Sequence, residues 1–256
     1  MKILTIGDVT GVRSIEYLRG RLWGIRQQFG ADVVIANGEN VSDIRGISSA
    51  DAQALLDCGI DLLTTGNHVW GKYDIGAFLD SSPSIIRPAN FPPSCPGVGS
   101  TVLRVGGWRL LCINVMGVVS MDALDSPFDT VDKILERERG KYDLALMDIH
   151  AEATSEKLAL AHYFDGRINV IFGTHTHVPT ADEQILPRGT GYITDLGMTG
   201  PIGGIIGTEA QCVIRRFRTK MPQRFSVAEG EIKAHAALFE LDADSGRCTR
   251  VTRIVF

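Results

Sequence analysis

The chain has 256 residues, 44% of them hydrophobic and 22% charged, with a net charge of -4. It is long enough to bury a substantial core, and its balance is that of an ordinary globular protein with no general attraction to nucleic acid or anionic membrane, a local basic groove aside. MKILTIGDV is too short and too little charged for a signal peptide, no other run reaches membrane-spanning length, and five cysteines without a CxxC argue against disulfides or a thiolate zinc site, so a cytoplasmic setting is expected.

In chain order, KILTI (Lys2–Ile6) predicts a strand and Ser14 to Gln28 a helix; DVVIA (Asp32–Ala36) is a strand, and Ser48 to Cys58 a helix opened by a Ser48 to Asp51 capping box. DLLTT (Asp61–Thr65) is a third strand, followed by a short helix near Tyr73 to Leu79. This alternation predicts parallel strands with crossover helices. A Pro-rich passage from Arg87 to Gly99 reads as irregular loop, after which TVLRV and WRLLCINV, joined at Gly106-Gly107, predict a hairpin. Helix Val131 to Arg139, strand Asp143 to Ile149, helix Ser155 to Phe164 and strand Ile168 to Phe172 follow. GYITD (Gly191–Asp195), a glycine-rich turn and strands near Ala237 to Leu241 and Thr252 to Phe256 complete the chain. The expectation is one domain, residues 1–256, of two packed mixed sheets with outer helices.

Residues with ligand chemistry recur just after the predicted strands. Asp8 follows the first, Glu39 and Asn40 (in NGEN) the second, Asn67 and His68 (in GNH) the third; His150 follows DLALMDI, and His175 and His177 (in GTHTHV) follow INVIF. Carboxyl ends of strands in open α/β sheets form the crevice where sites are built, so five strand ends aim at one place. A lone Asp or Asn in such a turn is ordinarily a cap, and a lone histidine a hydrogen-bonded core residue. Five coincidences at equivalent points favour a metal site. Two carboxylates, two amide oxygens and three imidazoles suit Mn, Fe or Zn better than Ca, and seven ligands exceed one tetrahedral ion. They fit a pair of ions about 3.5–4 Å apart sharing a carboxylate and a bridging hydroxide. Two divalent ions against Asp8 and Glu39 leave a surplus of about +2 for an anionic phosphate.

GDV, NGEN, GNHVW, DIH and GTHTH resemble the motifs of the calcineurin-like metallophosphoesterases, and HAEATSEK (His150–Lys157), GTHTHVPTAD (Gly173–Asp182) and ITDLGMTGP (Ile193–Pro201) are similar to the bacterial YmdB-like branch. The resemblance runs the length of the chain. It implies a four-layer α/β/β/α fold with the site at strand C-terminal ends. The activity implied is metal-dependent phosphodiesterase action on cyclic nucleotides, 2′,3′-cyclic ones and 3′,5′-cyclic AMP, through a dinuclear iron or manganese centre, with Zn or Mg as alternatives. Position by position, metal one takes Asp8, Glu39, Asn40 and His177, and metal two takes Glu39, Asn67, His150 and His175. Glu39 bridges, and His68 is left near the scissile bond to protonate or stabilise the leaving oxygen. Two departures bear on substrate binding, the turn GVRS (Gly11–Ser14) and Val118 in NVMGV, where relatives place an Arg.

The implied partner is a small phosphoester, with no membrane and no general nucleic-acid binding; oligomeric state is open. A regulatory protein with slow catalysis and a phosphomonoesterase are the alternatives. GNHVWGKY nearly spells a P-loop, but Tyr73 stands where Ser or Thr would hold Mg. Glu152 reads as a helix cap or phosphate contact and Asp195 as an orienting partner of a histidine or a turn residue; His235 is expected at the surface, and Trp70 and Phe91 to pack.

Overall fold

The computed structural model describes residues 1–43 and 45–256. In chain order the strands are β1 (Lys2–Ile6), β2 (Asp8–Val9), β3 (Val33–Asn37), β4 (Leu62–Thr64), β5 (Ser100–Val105), β6 (Trp108–Met116), β7 (Leu144–His150), β8 (Val170–Thr174), β9 (Gln184–Ile185), β10 (Gly191–Ile193), β11 (Met198–Pro201), β12 (Ile232–Lys233), β13 (His235–Leu241) and β14 (Cys248–Val255). The helices are α1 (Arg13–Phe29), α2 (Ser49–Leu56), α3 (Ile75–Ser81), α4 (Pro127–Arg137), α5 (Thr154–Phe164) and α6 (Ala210–Thr219).

One sheet has the order β14-β13-β1-β3-β4 and the other β5-β6-β7-β8-β10-β9. Both are mixed: β1, β3 and β4 run parallel, as do β6, β7, β8 and β10, while β13, β14, β5 and β9 join antiparallel. Alternation along each strand builds the layers. Leu4, Ile6, Val34 and Ala36 turn to Leu18 and Leu22 of α1 and Leu55 of α2. Their neighbours Ile3, Val33 and Ile35 turn the other way, onto Leu110, Leu144, Leu146 and Phe172 of the second sheet. Leu111, Ile113, Met147 and Ile149 then face Ile134 of α4 and Leu160 and Phe164 of α5. Three apolar layers between four polypeptide layers make the expected α/β/β/α sandwich.

Several elements differ from expectation. A small third sheet, β12-β11-β2, continues from β1 past Gly7. Its strands are too short for an alternation pattern to show in sequence. α4 begins at Pro127, not Val131, because Ser126 caps it by accepting from Asp129 N, and Pro127 supplies a preset φ at the first turn. α6 lies where only a glycine-rich turn and unassigned chain were expected; Ala210, Val213, Ile214 and Phe217 recur at helical spacing, but of its residues only Val213 is buried. No helix among the described residues is long and apolar enough to cross a membrane.

Candidate metal centre

The parallel order puts the C-terminal ends of β1, β3, β4, β7 and β8 at one edge, and all seven candidate ligands are delivered there. Asp8, Glu39, Asn40 and His150 are buried. Around His150, Nε2 lies 2.9 Å from Glu39 Oε1 and 2.9 Å from Asn67 Oδ1, while His175 Nδ1 is 3.1 Å from the same nitrogen. Around Asn40, the amide NH2 lies 3.1 Å from Glu39 Oε1 and 3.1 Å from His177 Nε2, which is itself 3.9 Å from Asp8 Oδ1. The donors therefore fall into two groups that meet at Glu39. His68 stands beside both: its backbone N–H donates to Glu39 Oε2 at 3.0 Å, and its half-buried ring neighbours the Asn67 amide.

Each imidazole has one nitrogen tied back and the other turned inward. His150 Nδ1 meets Thr174 Oγ1 at 2.9 Å, and that hydroxyl donates to Asp148 Oδ1 at 2.7 Å. His175 Nε2 lies 3.1 Å from Glu152 Oε2, and His177 Nδ1 3.1 Å from the Ile206 carbonyl. Such outer partners fix tautomer and ring orientation in metal-bound histidines. Asn40 Oδ1 is buried without a hydrogen-bond partner, a costly arrangement unless something outside the protein meets it. A half-turn of the amide would present this oxygen between Glu39 and His177. The residues thus fit a group of cations.

Charge in the pocket is strongly coupled. Burial raises the Asp8 carboxyl. Burial also pushes Glu39 upward, but the His150 imidazole outweighs it and brings the carboxyl to about 2. Burial depresses His150, yet Glu39, Asp8 and Asp148 together raise it to about 9. Burial and then the charge of His150 lower His175 to about 3. Burial lowers His68, which Glu39 partly opposes and the positive Arg45 reinforces. The carboxylates thus favour positive charge at the centre of the pocket, which cations held there would supply.

Asp148 and Thr174 were not read from the sequence as site residues; an acid two positions before His150 on the same strand face was the available signal. Glu152 caps nothing: α5 has no side-chain cap, and the carboxylate turns to His175 instead. Asp195 takes the expected turn role, since Oδ1 accepts from Gly197 N at 2.8 Å; Oδ2 accepts from Thr176 Oγ1 at 2.8 Å, between the two loop histidines, and not from an imidazole. Val118 adds no side-chain charge; its backbone N–H donates to Glu156 Oε1 at 2.9 Å. Arg13 of the GVRS turn donates to the Gly230 carbonyl at 3.1 Å. His235, expected at the surface, is half-buried on β13, while Trp70 and Phe91 pack edge to face as expected.

A family model described as YmdB-like protein matches residues 4–254. The chain belongs to this YmdB-like family. It is 40% identical over 255 residues to a 2′,3′-cyclic-nucleotide 2′-phosphodiesterase of Bacillus subtilis (strain 168), the match covering 100% of this chain and 97% of that protein. A crystal structure of a hypothetical protein from Thermus thermophilus superposes with a TM-score of 0.94 at 43% identity, covering 100% of this chain and 99% of the other. That of a novel phosphatase from Mycoplasma pneumoniae also superposes at 0.94, with 32% identity over 100% and 93% of the two chains. The YmdB-like chain is accordingly a metallophosphoesterase-fold hydrolase of phosphoesters.

Gly66, between β4 and Asn67, carries a constraint of the centre itself: a Cβ there would lie 2.2 Å from His150 Nε2 and 2.5 Å from Glu39 Oε2. Gly66→Ala is expected to push both side chains out of register and lower metal content by at least about tenfold, on the scale of disturbing ligand orientation. Metal analysis of the purified variant checks this, and full occupancy would show that the pocket tolerates the methyl group.

Proposed function

We propose that this chain is a metal-dependent phosphodiesterase that opens 2′,3′-cyclic nucleotides, with 3′,5′-cyclic AMP as a second substrate, at a dinuclear iron or manganese centre. The observation that carries the reading is the pair of donor groups meeting at Glu39, with every inward imidazole nitrogen backed by an outer partner. Asp8, Glu39, Asn40 and His177 would hold one ion, and Glu39, Asn67, His150 and His175 the other. Ions so held supply Lewis acidity toward phosphoryl oxygens and an acidified water. The neutral Asn40 and Asn67 leave the pocket its surplus positive charge, which an anionic diester needs. The similarity to the Bacillus subtilis phosphodiesterase supports the choice of diester.

The chain's own residues supply the rest. His68 is anchored by its backbone to Glu39, and its half-buried ring, beside the Asn67 amide, would face substrate. Burial favours its neutral form, so its part is that of an N–H donor to the departing ribose oxygen. His68→Ala is expected to lower kcat by roughly 10²–10⁴ on a diester with a poor leaving group, with metal content unchanged. A wild-type rate in that variant would remove this role.

The function is tested by a panel of 2′,3′-cyclic AMP, 3′,5′-cyclic AMP, a chromogenic phosphodiester and a phosphomonoester on Mn- and Fe-reconstituted protein. Chelator-sensitive turnover of the 2′,3′-cyclic ester is the expected result. Turnover of the monoester alone would make the chain a phosphomonoesterase, and no turnover on any would favour a regulatory protein.

A further inference from the structure

Residues 202–231 leave the small sheet after β11, include α6, and return at β12. The excursion touches the centre where the Ile206 carbonyl meets His177 Nδ1 at 3.1 Å. From Arg215 to Arg224 it reads RRFRTKMPQR, with five cations and no carboxylate in a chain of net charge -4. All five are exposed, and none forms an ion pair among the described residues. A merely solvated face ordinarily mixes both signs.

Position gives the stretch its meaning. Arg216 lies three residues beyond the buried Val213, donates to the Lys220 carbonyl, and lines a cleft of about 400 Å³ with Arg45, Gln223, Phe225 and Asp43, the last already paired with Lys72. Arg45 brings the cleft to the reacting centre. Gly46 packs on Gly71 so closely that a Cβ on it would lie 2.8 Å from Gly71 Cα, and Gly71 N donates to the His68 carbonyl at 2.8 Å. A cationic path therefore runs from the turn that starts at His68, through Arg45 and Arg216, to Lys220 and Arg224. Aromatic surface accompanies it: Phe217 is 69% exposed with Lys220 Nζ 5.9 Å from its ring centre, and Trp70 is 38% exposed next to His68.

A cyclic mononucleotide has one phosphate, and the metal centre consumes it. The further cations would then face nothing, whereas each added nucleotide supplies one more phosphate along the path. Exposed aromatics beside a cationic groove suit unpaired bases. A flat membrane surface would meet the exposed face of α6, whereas a flexible strand can also enter the cleft between Arg216 and Arg45.

We propose that this strip binds the backbone of single-stranded RNA, and that the substrate is the 2′,3′-cyclic phosphate at the end of an oligoribonucleotide. This rests on the diester hydrolysis proposed above. Water adds across one ring P–O bond: its hydroxyl goes to phosphorus, its proton to the departing ribose oxygen, and the oligomer keeps a terminal phosphomonoester.

The test compares kcat/KM of Mn-reconstituted enzyme for 2′,3′-cyclic AMP and for a 5′-fluorescein decaribonucleotide ending in a 2′,3′-cyclic phosphate, between 50 and 200 mM salt (about the range over which counterion release is read). Anisotropy with the same decamer ending in a 3′-phosphate reads binding without chemistry. The expected result is a preference for the decamer of at least about tenfold, with a log–log salt slope of about -2 for three phosphate contacts. Combining Arg216→Glu, Lys220→Glu and Arg224→Glu should reduce the decamer-to-mononucleotide ratio about tenfold and flatten the slope. Circular dichroism checks folding, and Arg216→Gln alone serves if the triple variant misfolds. Equal kcat/KM for both substrates overturns the proposal, as does decamer binding indifferent to charge reversal. Binding to phosphatidylserine vesicles in place of the decamer reassigns the strip to a membrane surface and overturns it too. Charge-sensitive decamer binding without hydrolysis of either ester would sink the hydrolytic reading and leave the strip standing.

Discussion

Glu39→Gln is expected to abolish measurable phosphodiester turnover and to leave the protein unable to hold its metals at micromolar concentrations. The carboxylate is fully buried at the junction of the two donor groups, 2.9 Å from His150 Nε2 and 3.1 Å from the Asn40 amide. Glutamine keeps the shape and one acceptor but removes a charge shared by both proposed ions. At an effective dielectric near 20, a unit charge about 4 Å away is worth about 4 kcal/mol per unit of ion charge, so each divalent ion loses at least about 10³ in affinity. The rest of the sandwich does not depend on this side chain, because its three apolar layers lie below the strand ends. Metal analysis after desalting, together with a Mn-dependent thermal shift, separates the two effects. Two equivalents of metal retained with wild-type turnover would remove Glu39 from the junction.

The pattern of strand followed by ligand makes the site visible in the sequence alone. Asp8, Asn67 and His150 each end a run of β-rich residues, and parallel order forces such ends together. What the sequence did not show is the layer behind the ligands. Asp148 reads as one polar residue in DLALMDI, yet only the packing of β7 beside β8 places it against Thr174, and Thr174 against His150. Glu152 looks like a cap because it precedes a helix, and nothing local reveals that His175 lies 3.1 Å away. α6 is a different case: Ala210, Val213, Ile214 and Phe217 do recur at helical spacing in the sequence, but in one short turn-flanked stretch, and its basic run carries meaning only beside Arg45. Local pattern thus located the ligands, while contacts across strands and excursions set their orientation.

Lys157→Met should destabilise the fold by about 3–5 kcal/mol, the scale for leaving one partner of a buried pair alone. Lys157 is fully buried on α5, and its ammonium donates to the Thr174 carbonyl and to Asp195 Oδ2, both at 2.7 Å. The same Asp195 oxygen accepts from Thr176 Oγ1 at 2.8 Å, so the pair clamps the chain on both sides of His175. That segment needs a clamp. His175 and His177 have φ of 96° and 64°, a region that costs non-glycine residues roughly 1–3 kcal/mol each. Methionine fills the volume of the lysine stem but leaves the Thr174 carbonyl unpaired and Asp195 without its counter-charge. For a chain of this size the loss corresponds to a fall in Tm of roughly 6–20 °C. Adding Asp195→Asn to Lys157→Met should recover part of it, because the stranded charge goes while an acceptor for Thr176 remains. The metal site should answer differently: both variants free the histidine loop, so metal affinity falls in each and is not restored with stability. Thermal unfolding of the metal-free proteins alongside Mn titration distinguishes the two, and recovery of metal affinity in the double variant would show that the pair acts on stability alone.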